Sequence, residues 1–214
     1  VWSGNQSLYL TGEGYSPEGD LVTKENQKLE PESTSDAFRE FIRASVLNND
    51  AKHLKNEHWS IEGDPTEASL LVMARKAGKD PDKIRQDLPR VDEIPFSGKA
   101  KYMATLHKSD DNQHILYVKG APEQIVKFCD RILDENGKSK TLDDDALEQI
   151  DHQLQDMAND TLRPLAMAMK KMERPDDLQA EHVESGLVFL GLTGMADPPR
   201  KDAIEAIGKA QKAG

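Results

Sequence analysis

Apolar residues recur at helical spacing along much of the chain. Phe38, Phe41, Ile42 and Val46 share one face of a helix predicted over 36–47, which Asn48-Asn49-Asp50 ends. A second helix has a clear start: Asp64 is a good N-cap, Pro65 suits the first helical position, and Glu67 stands where a capping-box carboxylate would. It runs through Leu70, Leu71, Val72 and Met73 and stops at Gly78. A short helical turn follows around Ile84. Pro122 opens a helix predicted over 122–131, where its missing N–H would have had no partner. A longer helix over 143–159 turns Ala146, Leu147, Ile150, Leu154 and Met157 inward. Asp143-Asp144-Asp145 suits the positive end of its dipole, and no EF-hand ligand pattern surrounds it. An Ala-rich helix is predicted over 202–212.

Alternation marks the strands. Residues 7–15 read as a strand entering a Gly-rich turn, Pro17-Glu18-Gly19 is a second turn, and 21–23 returns as a hairpin. Residues 24–35 are polar and predict a loop. Residues 102–107 and 114–118 pair as a hairpin around Ser109-Asp110-Asp111-Asn112. Residues 162–169 predict a strand in which Pro164 argues for an edge or a bulge. A polar connection over 173–185 leads to a buried strand over 187–192. Hairpins prevail over βαβ crossovers, so the fold class is mixed α/β of the α+β type: a mainly antiparallel twisted sheet flanked by helices. No internal repeat is present.

Composition narrows the function classes. The 214 residues suffice for one sizeable domain, or one domain and a fragment of another. A net charge of −11 and a pI of about 5.0 argue against nucleic acid or an anionic membrane as the main partner. No apolar run is long enough to span a bilayer and no secretory h-region opens the chain, so a soluble piece is expected. Cys129 is the only cysteine, which excludes an internal disulfide and a thiolate metal site. Its apolar surroundings in Ile125-Val126-Lys127-Phe128 predict a buried structural thiol. The six histidines lack metal-ligand spacing, and no metal site is expected.

Three stretches carry candidate chemistry, each with a plainer alternative. In Lys119-Gly120-Ala121-Pro122-Glu123 a strand turns into a helix. Gly120 permits a sharp turn and a close ligand, and Lys119 stands beside backbone N–H groups able to receive an anion. The alternative is a surface lysine at an ordinary βα turn. Glu67 is either a capping glutamate or a carboxylate at a helix mouth that accepts from a ligand amino group. Phe96, after Pro95 and before Lys99 and Lys101, is either a stacking platform with phosphate-facing cations or a core ring beside solvated lysines.

These stretches occur in a recognisable order: Gly63-Asp64-Pro65-Thr66-Glu67-Ala68, Pro95-Phe96-Ser97 with Lys101, Lys119-Gly120-Ala121-Pro122-Glu123, Leu162-Arg163-Pro164-Leu165-Ala166, then Asp197-Pro198-Pro199-Arg200. Together they resemble the cytoplasmic nucleotide-binding (N) domain of type II P-type cation-transporting ATPases. The segment Thr11-Gly12-Glu13-Gly14-Tyr15-Ser16-Pro17-Glu18-Gly19 resembles the opening of that domain in bacterial and secretory-pathway calcium pumps. The resemblance covers 11–214 and implies an ATP site, with Mg-ATP in the intact pump. Phe96 would stack on adenine and Glu67 would accept from its amino group. Lys119 would line the base of the pocket, with Gly120 allowing close approach. Lys101 would sit nearer the phosphates, and Arg163 at the phosphate or ribose end. One departure is Gly98, where calcium pumps often carry arginine; Lys99 follows it.

The resemblance also implies what surrounds the domain. Residues 1–10 would be a flank from the phosphorylation domain, 11–186 the nucleotide-binding domain, and 187–214 the return strand and hinge, with the termini close together. The family's Asp-Lys-Thr-Gly-Thr, Thr-Gly-Asp and Gly-Asp-Gly-x-Asn-Asp motifs are absent from the sequence. The expectation is therefore a monomeric cytoplasmic piece of an integral membrane protein that binds ATP without hydrolysing it, holds no catalytic residue and does not itself contact the membrane. Its partners would be the phosphorylation and actuator domains of the same pump. The rival readings are a stand-alone hydrolase or kinase, for which no P-loop or kinase signature exists, and a protein-interaction module that binds no nucleotide.

Overall fold

The computed structural model describes residues 1–55, 58–109 and 113–196; Asp197-Pro198-Pro199-Arg200 and the helix expected over 202–212 lie outside the described residues. In chain order the strands are β1 (Trp2–Ser3), β2 (Gln6–Ser7), β3 (Tyr9–Leu10), β4 (Leu21–Val22), β5 (Lys28–Leu29), β6 (Lys52–Lys55) and β7 (Trp59–Glu62). They continue with β8 (Arg90–Ile94), β9 (Tyr102–Lys108), β10 (His114–Gly120), β11 (Cys129–Leu133), β12 (Ser139–Thr141), β13 (Arg163–Met172) and β14 (Leu187–Met195). The helices are α1 (Asp36–Leu47), α2 (Pro65–Lys76), α3 (Pro81–Asp87), α4 (Pro122–Phe128) and α5 (Asp144–Asn159).

One large sheet runs in the order β12-β11-β14-β13-β10-β9-β8, with β1 and β2 attached beside β14. Its pairings are antiparallel except β11 with β14, which bears out the mixed α/β expectation of a mainly antiparallel sheet. The strand β10 is buried along its whole length and separates two cores. Ile115 and Tyr117 pack towards Phe38, Phe41, Leu70 and Leu71 of α1 and α2. Leu116 and Val118 pack towards Ile125 and Ile150 of α4 and α5. Period-2 alternation thus feeds both faces of the sheet.

The helix starts formed as their caps dictate. Ser35 Oγ accepts from the Phe38 N–H, Asp64 from the N–H groups of Thr66 and Glu67, and Asp143 from that of Ala146. The helix predicted over 122–131 is shorter than expected. It stops at Phe128, and Cys129 begins β11, which runs parallel to β14 from the Cys129–Leu187 pair. Ile132 and Leu133 then enter opposite cores, a placement a continuing helix would forfeit. The Cys129 thiol is half-buried, donates to Ile125 O at 3.2 Å, and burial pushes its pKa well up, so it is a structural group.

Pro164 has a clear explanation. The pairing of β10 with β13 ends at Gly120–Ala166, so Pro164 has a strand neighbour only on the β14 side, opposite Gly194. The bulge lies elsewhere, where the β13–β14 register shifts between Met167 and Ala168. There Gly191 has φ +148°, and a Cβ on it would meet Trp2 O at 2.2 Å. Only glycine admits β1 so close to β14.

Candidate functional site

Four strand ends form one rim of the large sheet. The β8 pairing ends at Ile94 opposite Ala104, β9 begins at Tyr102, β10 ends at Gly120, and β13 begins at Arg163. Phe96, Lys101, Gly120 and Arg163 therefore share that rim by strand position. Phe96 is 64% exposed, whereas Phe38, Phe41, Phe128 and Phe189 are all buried. Its turn is closed by the Lys101 N–H donating to Ser97 O at 2.8 Å. Lys101 itself adopts φ +59°, and its Nζ pairs with Glu123 Oε1 at 3.2 Å in an exposed bridge. Arg163 is exposed.

Gly120 is explained by the chain's own packing. A Cβ on it would meet Lys101 O at 2.3 Å and Tyr102 Cα at 2.9 Å. The Lys101 carbonyl fills that space and accepts from the Ala121 N–H at 3.0 Å. One of the N–H groups expected to be open to an anion is thus already taken.

Lys119 is not a surface lysine. It is 6% exposed, pointing from β10 into the α1–α2 layer, where Nζ donates to Glu67 Oε1 and to Asn48 O, each at 2.5 Å. Burial lowers its pKa more strongly than the Glu67 carboxylate raises it. Glu67 is not acting as a capping-box residue either. Asp64 caps α2, and the Glu67 carboxylate turns to Lys119 and to the Asp50 N–H, 3.0 Å from Oε2. Asn49 Nδ2 holds Glu67 O at 2.8 Å. The structure thus brings Glu67 into contact with Lys119, and sets Gly120 against Lys101.

Sequence reasoning missed the corner that supports this pair. Asn48-Asn49-Asp50 was legible only as a helix stop, yet Asn48 and Asn49 are fully buried. Asn48 Nδ2 donates to Met103 O at 3.0 Å and Tyr117 O at 2.7 Å, joining α1 to β9 and β10. Beside the corner lies a cleft of about 300 Å³ lined by Leu47, Asp50, Arg85, Arg90 and His107. Another, of about 260 Å³, lies between Trp2, Asn5, Asp134 and Gln149. Among the described residues no group of His, Cys, Asp and Glu is placed to hold a metal ion.

Comparison with known proteins decides the family. A family profile described as P-type ATPase, cytoplasmic domain N, matches residues 37–202. The chain belongs to the P-type ATPases. The cation-transporting ATPase pma1 of Synechocystis sp. is 36% identical over 220 residues, covering all of this chain and 24% of that protein. A calcium-transporting ATPase of Bacillus subtilis is 27% identical, again over all of this chain and 24% of its own length. The sodium/potassium exporting P-type ATPase cta3 of Schizosaccharomyces pombe is 29% identical over 89% of this chain and 18% of that protein. This P-type ATPase domain thus spans about a quarter of the length of the first two relatives. Among its described residues no helix is long and apolar enough to cross a membrane.

Proposed function

We propose that this P-type ATPase domain is the cytoplasmic ATP-binding unit of a cation pump, and that it delivers the γ-phosphate to an aspartate in a neighbouring domain. The observation that carries the reading is Phe96: the one exposed phenylalanine, on a rim that also bears Lys101 and Arg163. An exposed aromatic face flanked by cations suits a nucleobase with its phosphates. On this reading Phe96 stacks on adenine, and Glu67 accepts from the adenine amino group with the acceptor capacity left beside Lys119 and the Asp50 N–H. Lys119 closes the base of the pocket next to Gly120. Lys101 sits nearer the phosphates, and Arg163 faces the phosphate or ribose end.

The unit itself holds no catalytic residue on this reading. Its contribution to phosphoryl transfer is position, while magnesium accompanying the ATP neutralises charge. Closure against the phosphorylation domain brings nucleotide and aspartate together, with the actuator domain a further partner in the intact pump. Residues 11–186 form the body of the unit. Residues 1–10 and 187–214 are the joining segments, with β14 serving both the sheet and the connection. The transported cation is read as calcium, on the opening segment 11–19 alone.

Calorimetric titration with ATP, of the domain and of a Phe96→Ala variant, tests the reading. Stacking on one aromatic side chain is worth ~1–3 kcal/mol, so the variant should bind about tenfold more weakly. Its folding stability should be unchanged, because the ring is solvent-facing. Equal affinity in the two proteins would count against an adenine site at Phe96.

A further inference from the structure

Three cations converge on the C-terminal corner of α1. Arg85, from α3, donates Nε to Val46 O at 3.4 Å, and Nη2 to Asn49 O at 3.1 Å and Ala51 O at 3.0 Å. Arg90, at the start of β8, donates Nη2 to Leu47 O at 3.2 Å and Asn49 O at 3.0 Å. Its Nη1 bonds the Asp50 and Glu93 carboxylates, each at 2.6 Å. Lys119 takes the carbonyl between them, that of Asn48. The last carbonyls of a helix lack intrahelical partners and carry the negative end of its dipole, so cations are favoured there. A guanidinium fork can hold several carbonyls at once in a fixed geometry, which an ammonium cannot.

That corner carries the two groups outside the pair that bond the Glu67 carboxylate and the Lys119 ammonium. The Asn48 carbonyl accepts from Lys119, and the Asp50 N–H donates to Glu67. Displacing residues 46–51 would move an acceptor from one partner and a donor from the other. We infer that Arg85 and Arg90 are positioning residues of the nucleotide site: they fix the corner that in turn fixes Glu67 and Lys119. Their contribution to ATP binding passes through that pair, without contact with the nucleotide. The inference rests on the reading of Glu67 and Lys119 as adenine-facing.

A double-mutant cycle on the whole domain tests it. Arg85→Gln is expected to weaken ATP binding about tenfold, and to have no such effect when Lys119→Met is already present. An equal loss in both backgrounds would overturn the inference. Arg85→Lys, which keeps the charge without the fork, provides a second variant should Arg85→Gln not fold; it should give a smaller loss with the same dependence on Lys119. A measurement without nucleotide separates the two readings. The buried Lys119 ammonium should give its own slowly exchanging proton signal in NMR, and that signal should shift or broaden in Arg85→Gln or Arg85→Lys. A shifted signal in a protein that binds no ATP would overturn the nucleotide reading and leave the positioning of the pair intact. An unmoved signal in a protein that binds ATP would do the reverse.

Discussion

The Lys119 ammonium has two acceptors, a carboxylate and a helix-terminal carbonyl, and little water. Removing one partner of such a pair costs more than the pair contributes, because the other charge stays buried. Glu67→Gln should therefore lower unfolding stability by about 3–5 kcal/mol, read as a smaller urea midpoint at unchanged slope. His107 makes a second residue-level case. It is buried on β9, with Nδ1 2.9 Å from Leu88 O and Nε2 2.9 Å from Thr105 Oγ1, and burial pushes its pKa down to about 4. Between the ordinary value of 6.5 and about 4, the unfolded chain binds a proton that the folded chain refuses. Stability should drop as pH is lowered through that window, by about 3 kcal/mol in all, and His107→Gln should flatten the loss in urea titrations. Neither environment was legible in the sequence. Lys119 at a strand end reads the same whether it faces water or two packed helices, because its burial comes from α1 and α2, far away along the chain. Phe96 could be read as platform or core, and its exposure excludes the core.

Elements were more legible than environments. The start of α2 was legible from Asp64 and Pro65, whose effects act within one turn, and the span of α1 from the spacing of its apolar residues, while its Ser35 cap emerged only in the structure. The strand β11 was missed because Cys129–Leu133 is selected by parallel pairing with β14, more than fifty residues further on. The β6–β7 pair was missed although most of its contacts are local: Lys55 is paired with Trp59, whose ring lies 4.5 Å from that of His53 and beneath the cations of Lys55 and Arg75. Gly120 shows how an element can depend on one absent atom. The ends of β9 and β10 approach so closely that a Cβ would strike backbone, which cannot rotate aside. Gly120→Ala should cost about 3 kcal/mol and weaken ATP binding with it, since the Lys101 carbonyl and the rim must shift. Gly98→Ala is the matched control, as nothing lies within 4 Å of its Cβ position. It should leave the thermal midpoint unchanged.

At the scale of the whole molecule, the large sheet ties the start of the chain to its last described strand. Trp2 is buried opposite Leu192, its ring 6.4 Å from that of Phe189, and Ser3 Oγ donates to Leu190 O at 2.7 Å. On the proposed reading, the same sheet gives the nucleotide a direction. Arg163 at the start of β13 is paired with Met195 at the end of β14, and Ser69 of α2 reaches the Met195 sulfur at 3.2 Å. The described chain therefore leaves the sheet beside Arg163, the residue proposed for the phosphate or ribose end. If the connection to the phosphorylation domain departs there, phosphates lying towards Arg163 point to the neighbour that must receive one of them. Arg163→Ala then separates the two ends of the ligand. A charge-assisted hydrogen bond is worth about 1.5–3 kcal/mol, so ATP should bind at least tenfold more weakly to the variant, while adenosine should bind as before. Phe96→Ala should weaken both ligands alike. Equal losses of ATP and adenosine in Arg163→Ala would mean that this arginine faces the ribose or the base, and that the phosphates leave the rim by another route.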